Sequence, residues 1–300
     1  MSSFSPIVCP EFLPPTLSQA LADGRRWHTP CGDGPLVWHD WGDLSHPAVV
    51  LLHGGSGSWT HWLHNIVPMR EAGWRVLVPD LPGFGDSHLP EGCSDTHDLP
   101  QYLHQGLPLL APQGPVRLVG FSFGGMTAAL WLKDHPQDAQ QLVLVGAPGM
   151  GIKVPERVPL KGWRHLLDAA QRDAIHRHNL LALMLQHPES LDTLAMDLHR
   201  ANVERDRMPR RRLSGTPIVA DTLPHLQVPV SAIFGENDAL YAGRMNEVQA
   251  LMAQLTPDWR GWNTVPNAGH WVQYEAAQAF DPLLHQVLRE DLNIAPISPL

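Results

Sequence analysis

Short apolar runs recur along the first half of the chain, and each ends at a turn that contains Gly or Pro. The runs lie at 48–52, 75–78, 116–120 and 142–145. Each is shorter than an ordinary helix, and its apolar residues are nearly uninterrupted. Such runs are typical of strands that are buried on both faces in a parallel sheet.

Stretches with the apolar spacing of a helix separate these runs, near 60–72, near 96–110 and directly after Ser122. Alternating strands and helices predict an α/β fold, with a mostly parallel central sheet flanked by helices. Because right-handed crossovers bring the carboxyl ends of parallel strands to one edge, we expect functional residues there. Residues 36–41 predict an edge strand, and the Pro-rich residues 1–30 predict an irregular surface arm.

The alternation stops between 149 and 222, where Arg, His, Leu and Met recur at helical spacing without a strand pattern. We interpret 149–222 as a helical lid, or cap, inserted into the core. The core is then made of 1–148 and 223–300. In its second part the alternation resumes with an apolar run at 228–234 and ends with an amphipathic helix near 275–290.

A glycine-flanked serine follows the third apolar run, in the sequence Gly120-Phe121-Ser122-Phe123-Gly124. The motif lies between a predicted strand and a predicted helix, which is the setting of a nucleophile elbow. That turn is tight enough to require small residues two before and two after the serine, and it lifts the hydroxyl above the sheet edge. Ser122 is therefore the candidate nucleophile. The alternative is a Gly-rich turn with an incidental serine.

A serine nucleophile needs a base, and the base needs an acid that orients it. On an elbow of this kind the acid follows the serine in the chain, and the histidine follows the acid. Asp238 lies just after the apolar run that ends at Phe234, and His270 lies just after the one that ends near Val265. We predict that His270 takes the serine proton and that Asp238 fixes the imidazole tautomer. Glu236 is the alternative acid.

Acyl transfer through a serine also needs N–H donors for the charge that develops on the carbonyl oxygen. The amide of Phe123, directly after the nucleophile, is one candidate. The other is Gly54 or Gly55, where the absence of a side chain lets the backbone approach a substrate. The neighbouring His53 is interpreted as structural.

Composition limits the classes of partner. The formal charge of −9 argues against a general nucleic-acid binder. No apolar run approaches the roughly 18 residues of a membrane span, and the N-terminus lacks the pattern of a signal peptide. Three widely spaced cysteines indicate no disulfide framework. These features predict a cytoplasmic protein that acts on a small molecule, without a nucleic-acid or membrane partner, and they leave a homodimer open.

Histidine is abundant, with 18 residues, so the net charge is sensitive to pH between about 5 and 8. Most of these histidines are interpreted as surface or lid residues. His176 and His178 are close enough in sequence to share a metal, but no cluster of Asp, Glu or Cys supports such a site. The sequence predicts neither a metal nor a cofactor.

The motifs together resemble the α/β-hydrolase superfamily. The likeness rests on the elbow, on the order of the serine, acid and histidine, and on the segments His53-Gly54-Gly55 and Asp80-Leu81-Pro82-Gly83-Phe84-Gly85-Asp86-Ser87. It covers about 35–150 and 223–292, with the predicted lid between them. The resemblance implies the same fold class and the same triad that the residues predict.

Within that superfamily the chain is most similar to the meta-cleavage-product hydrolases, which cleave a carbon–carbon bond, and to related esterases. The histidine of those enzymes is likewise followed by tryptophan, which is Trp271 here. The resemblance implies a carboxylated dienol substrate, gripped by a lid arginine and by a polar residue beside the nucleophile. Arg205 falls near the matching lid position.

One residue departs from that family pattern. The family usually carries asparagine just before the nucleophile, where this chain has Phe121. An apolar residue there weakens the grip on a carboxylate and favours a hydrophobic acyl group. We therefore predict a serine esterase that cleaves a carboxylic ester, or a similar acyl bond, of a small and largely hydrophobic substrate. Carbon–carbon cleavage is the alternative, followed by amide or thioester cleavage, perhydrolysis, and a non-catalytic ligand-binding role.

Arginines and aromatic residues supply candidate substrate contacts. Six arginines against two carboxylates lie between 200 and 212, a pattern that either recruits an anionic substrate or forms a solvated helical face. Arg205 is the one predicted to face inward. The predicted apolar lining consists of Phe121, Phe123, Trp271 and, unless they belong to the ordinary core, Trp59 and Trp163.

Overall fold

A computed structural model describes residues 4–154, 159–208 and 211–290. The ends of the predicted core at 1–3 and 291–300, and residues 155–158 and 209–210 of the predicted lid, lie outside the described ranges. Within these ranges the strands are β1 (Ser5–Pro6), β2 (Arg25–Cys31), β3 (Gly34–Trp41), β4 (Ala48–Leu52), β5 (Arg75–Pro79), β6 (Val116–Phe121), β7 (Ala139–Val145), β8 (Val230–Gly235) and β9 (Trp259–Val265).

The nine described strands form a single sheet in the order β1-β2-β3-β5-β4-β6-β7-β8-β9. The six strands from β5 to β9 in that order are parallel to one another, whereas β1, β2 and β3 pair antiparallel with their neighbours. Helices connect the parallel strands, so the predicted α/β fold with a mostly parallel sheet is confirmed.

The described α-helices are α1 (Pro15–Leu21), α2 (Ile66–Glu71), α3 (Pro100–Leu110), α4 (Phe123–Asp134), α5 (Ala169–Asn179), α6 (Thr193–Glu204), α7 (Ile218–Thr222), α8 (Met245–Leu255), α9 (Val272–Glu275) and α10 (Ala277–Arg289). A π-helical turn, Leu180–Met184, directly continues α5. In the part of the chain that the structure covers, no helix combines the length and the apolar character needed to cross a bilayer.

Both faces of the sheet are covered, and β4 shows how. Val50 and Leu52 pack into the hydrophobic cluster on one side, while Val49 and Leu51 pack into the cluster on the other. Successive side chains of a strand point to opposite faces, so a strand that is buried on both faces needs an uninterrupted apolar run. This physical requirement is the reason that the short apolar runs could be recognised as strands.

The predictions for the N-terminal region were wrong. Residues 25–31 form a strand rather than an irregular arm, and β2 pairs along the whole of β3. The predicted edge strand at 36–41 therefore lies inside the sheet, between β2 and β5. β2 forms a strand because its side chains alternate: Trp27, Thr29 and Cys31 are buried, and the residues between them are more exposed. Pro30 and the two arginines made this segment look unlike a strand.

Candidate active site

Ser122 stands at the sharp turn between β6 and α4. Its backbone is held in the left-handed region, with φ of 51°, which non-glycine residues seldom adopt and which is often found at functional sites. Its amide donates to the carbonyl of Val145 on the neighbouring strand, at 2.8 Å. A Cβ atom on Gly120 would lie 2.5 Å from the carbonyl oxygen of Gly124. The spacing of glycines in the motif is thus a steric requirement of the turn.

Gly124 gives a stability test of this turn. A Cβ atom there would lie 2.5 Å from the backbone carbonyl oxygen of Leu52, and main-chain atoms cannot give way as a flexible side chain can. We expect Gly124→Ala to lower the free energy of unfolding by about 1–3 kcal/mol, as overpacking in a core does, measured by urea denaturation. The matched control is Gly215→Ala, whose Cβ atom would meet nothing within 4 Å. Equal loss in both variants would contradict the steric argument.

Three side chains from three strand ends meet at this turn. The Nε2 atom of His270 lies 2.9 Å from the Oγ atom of Ser122, and its Nδ1 atom lies 2.8 Å from Oδ2 of Asp238. His270 follows β9 and Asp238 follows β8, and both side chains are almost fully buried. The second carboxylate oxygen of Asp238 accepts the amide of Leu240 at 2.9 Å. The arrangement can therefore take a proton from the serine and stabilise the imidazolium that results.

The residue that follows β7, the strand between those of the serine and the acid, is a glycine. Gly146 follows β7 with φ of 53°, and a Cβ atom there would lie 3.0 Å from Nδ1 of His270. Because Gly146 has no Cβ atom, the imidazole of His270 and the carboxylate of Asp238 can meet. Glu236, the alternative acid, is exposed and accepts the amide of Asn267 instead. Of the two candidate acids, the structure brings only Asp238 to the histidine.

The glycines after β4 come directly against the serine. A Cβ atom on Gly54 would lie 3.3 Å from Cβ of Ser122 and 2.9 Å from the ring of Phe121. The amide of Gly54 donates to Nδ1 of His61 at 3.2 Å. Within the described ranges, neither the amide of Gly55 nor that of Phe123 has a hydrogen-bond partner. Both of these candidate amides are therefore free to donate to a ligand.

His53 bonds to the loop after β4 and to the loop after β5. Its Nε2 atom accepts the amide of Leu81 at 2.9 Å, and its Nδ1 atom lies 2.8 Å from the carbonyl oxygen of Gly54. Complete burial lowers the pKa of His53 to about 4, so the ring is neutral at pH 7. The ring ties two loops together and does not reach the serine.

The serine opens into a cavity of about 290 Å³. Phe121 and Phe123 line it, together with Met126, Leu183 and Met184. Trp271 does not line the cavity, so the prediction that it does was wrong. Trp271 lies behind the cavity wall, where its indole N–H donates to the carbonyl of His61 at 3.1 Å and its ring stacks on Tyr274. Trp59 is a core residue packed on Trp41, and Trp163 lines an adjacent chamber.

Arg205 does not reach the cavity, so its predicted inward position was wrong. Its guanidinium pairs with Asp86 on the surface, because the chain leaves α6 at Arg205 with the side chain directed toward the loop after β5. Arg211 lines the cavity instead. Both its hydrogen bonds to Asp206 measure 2.9 Å, and it also donates to Ser56 at 3.0 Å. Arg210 of the arginine-rich segment lies outside the described residues.

Two residues near the site, Arg211 and Ser56, were not predicted from the sequence. Arg211 was only one of six arginines in its segment, and nothing local distinguishes it from Arg205. Ser56 has φ of 52° and donates to Asp206 at 2.6 Å. Through Ser56, Asp206 and Arg211 the loop after β4 is bonded to the segment that follows α6. Ser56 and Asp206 are 150 residues apart in sequence, so no local pattern predicts their contact.

Potential metal-ligating side chains meet at one place in the described part of the chain. Among the described residues, one set of three side chains, His39, Asp80 and Asp86, places its ligand atoms within 4.8 Å of one another. Asp80 accepts the amides of Trp59 and Asp86, and Asp86 pairs with arginines, so protein donors already occupy these carboxylates. His178 faces the carbonyl of Pro159 at 3.0 Å and does not join such a set.

Comparison with known proteins fits this geometry. The family model described as the alpha/beta hydrolase fold matches residues 47–277. The chain belongs to the α/β hydrolase fold family. A carboxylesterase from Bacillus subtilis has a TM-score of 0.73 at 19% identity, and the match covers 93% of this chain and 96% of that one. This likeness shows the shared fold.

Curated relatives of this α/β hydrolase carry the names of dienoate hydrolases. A 2-hydroxy-6-oxo-6-phenylhexa-2,4-dienoate hydrolase of Burkholderia cepacia is 26% identical over 79% of this chain and 85% of its own length. A 2-hydroxy-6-oxononadienedioate/2-hydroxy-6-oxononatrienedioate hydrolase of Burkholderia vietnamiensis is 28% identical over 81% and 87%. The resemblance found from the sequence motifs is thus confirmed, and the protein is an α/β-fold hydrolase.

Proposed function

We propose that this α/β hydrolase cleaves a carboxylic ester of a small, largely hydrophobic molecule through an acyl-enzyme on Ser122. One observation carries the proposal. The hydroxyl of Ser122, the imidazole of His270 and the carboxylate of Asp238 form a continuous hydrogen-bonded series beside two amides without partners. Each part has a role in acyl transfer, and none requires a cofactor.

The reaction follows from these positions. Nε2 of His270 takes the proton of Ser122 as Oγ attacks the ester carbonyl, and Asp238 stabilises the imidazolium. The amides of Gly55 and Phe123 donate to the oxyanion of the tetrahedral intermediate. His270 then protonates the departing alkoxide, which leaves as the alcohol. A water molecule, deprotonated by the same imidazole, attacks the acyl-enzyme, and the acid and free serine result.

The walls of the site favour an apolar acyl group. Phe121 is fully buried and packs on His270, with ring centroids 5.0 Å apart. Leu183 and Met184 close the cavity from the π-helical turn that continues α5. We propose that the segment 149–222, to which this turn belongs, is the lid. Removing apolar groups from water stabilises the bound substrate in proportion to the area covered.

Hydrolysis of a dienol acid is the second candidate. The names of the relatives favour it, since both describe hydroxy-oxo dienoic acids. Against it stand Phe121 beside the nucleophile and the pairing of Arg211 with Asp206, which leaves the described cavity wall without an unpaired guanidinium for a carboxylate.

A substrate panel tests the proposal. We expect wild-type protein to hydrolyse p-nitrophenyl butyrate with kcat/KM at least about tenfold above that for 2-hydroxy-6-oxo-6-phenylhexa-2,4-dienoate. We also expect a fluorophosphonate to label Ser122 covalently, located by peptide mass spectrometry. Faster turnover of the dienoate would favour the second candidate, and the absence of both turnover and labelling would contradict serine hydrolysis altogether.

A further inference from the structure

A second chamber, of about 510 Å³, adjoins the catalytic cavity. The two share wall residues, among them Ser56, Met184 and Arg211, so they lie side by side. Ser122 and His270 line the smaller cavity only. The chamber therefore lies farther from His270 than the smaller cavity does.

His61 presents a fixed donor to this chamber. A backbone amide can only donate, so the bond from Gly54 makes Nδ1 of His61 the acceptor and places the ring proton on Nε2. Among the described residues Nε2 has no partner, and His61 lines the chamber. Burial holds the pKa of His61 well below its ordinary value. The ring stays neutral with its N–H available to a ligand.

His199 faces the same chamber from α6. Its Nε2 atom is buried and has no hydrogen-bond partner in the described part of the protein. The ring of His176 lies behind it, with centroids 5.1 Å apart. Burial lowers the pKa of His199 to about 3. A buried polar atom without a partner is uncommon in a folded protein. With its proton on Nε2, this second neutral imidazole can donate to an uncharged oxygen.

The remaining walls provide apolar contact and little free charge. Arg211 is neutralised by Asp206, and Lys161 is exposed at the mouth. Arg164 donates to two main-chain carbonyls of the segment from 203 to 206 and lies over the ring of Trp163, 5.2 Å from its centroid. A carboxylate entering the chamber would lose its hydration without gaining an unpaired buried cation from the described wall residues.

The chemistry of the triad decides which part of a substrate reaches the chamber. The leaving alcohol must lie beside His270, because that residue protonates it. Since His270 lines only the smaller cavity, we place the leaving oxygen there. The acyl part is then the portion that extends past Gly55 and Ser56.

From these positions we propose that the chamber binds the acyl chain of the substrate, and that His61 and His199 select an uncharged oxygen on it, such as a ketone. The inference rests on the proposed ester hydrolysis and adds the substrate class. The two imidazoles act as specificity-determining residues some distance from the scissile bond.

Matched esters with one leaving group test this selection. We expect wild type to hydrolyse p-nitrophenyl 5-oxohexanoate with kcat/KM about tenfold above p-nitrophenyl hexanoate, although the ketone is less hydrophobic. His61→Phe and His199→Phe should each lower this ratio about fivefold, the size of one neutral hydrogen bond. His225→Phe is the matched control, since His225 is exposed and lines neither cavity.

The ratio within one variant cancels any general loss of activity, including loss caused by movement of Gly54 when His61 is replaced. His199→Phe keeps the test valid if His61→Phe does not fold. An unchanged ratio in His199→Phe would overturn the inference while leaving ester hydrolysis intact. Faster hydrolysis of mono-p-nitrophenyl glutarate than of the oxo ester would overturn the preference for an uncharged oxygen.

Failure of the proposed function has a different signature. If wild type hydrolyses none of these esters, calorimetry with methyl 5-oxohexanoate and methyl hexanoate measures the chamber directly. Tighter binding of the oxo ester, reduced in His199→Phe, would support the chamber's selectivity without catalysis. Equal affinities would overturn it.

Discussion

Ser122→Ala is expected to lower kcat for p-nitrophenyl butyrate by about 10⁴- to 10⁶-fold, the range found when a triad serine is removed. The loss is this large because Oγ of Ser122 forms the covalent bond of the acyl-enzyme, while His270 and the amides of Gly55 and Phe123 remain in place. Alanine retains the Cβ atom at a φ of 51°, so the turn is neither relieved nor further strained. Initial rates at saturating ester measure the effect.

Two controls accompany this variant. Ser18→Ala changes a serine of α1 that lies far along the chain from the elbow, and wild-type activity is expected. Thermal unfolding of Ser122→Ala should match that of wild type, because alanine occupies less space than serine in the same turn. Residual activity within about tenfold of wild type would show that another group is the nucleophile.

Asp238→Asn is expected to lower kcat by about 10³- to 10⁴-fold with little change in KM. The amide of Leu240 holds Oδ1 of Asp238 at 2.9 Å, and an asparagine oxygen can keep that bond. Its NH₂ group would then face Nδ1 of His270, which must accept rather than donate. The ring proton would be forced onto Nε2, where it prevents the imidazole from taking the proton of Ser122.

Glu236→Gln provides the matched control for the acid. Glu236 lies two residues away on the same loop, but its exposed carboxylate accepts the amide of Asn267. We expect less than about a threefold change in kcat, since glutamine still offers an oxygen to that amide. A larger loss in Glu236→Gln than in Asp238→Asn, measured with the same ester, would reverse the assignment of the acid.

Local sequence was sufficient where a residue's role follows from its immediate backbone. Buried parallel strands such as β4 must be apolar on both faces, and the elbow around Ser122 must have glycines where a Cβ atom would strike main-chain atoms. Asp238 and His270 could be chosen because parallel strands place their carboxyl ends at one edge. The antiparallel β2 was missed, since one side of it meets water and its pattern of polar residues resembles that of a loop.

By itself, the sequence determined the fold class, the elbow and the candidates for the base and acid, because short-range sterics and strand burial leave a direct pattern in the residues. Only the tertiary structure decided which arginine faces the cavity, that Trp271 lies behind its wall, and that His61 takes the amide of Gly54. The arginine assignment depends on the path of the chain between β7 and β8, and the other two depend on how the loops after β4 and β9 pack on each other. Contacts such as Ser56 with Asp206 join residues far apart in sequence, and no periodicity within either segment encodes them.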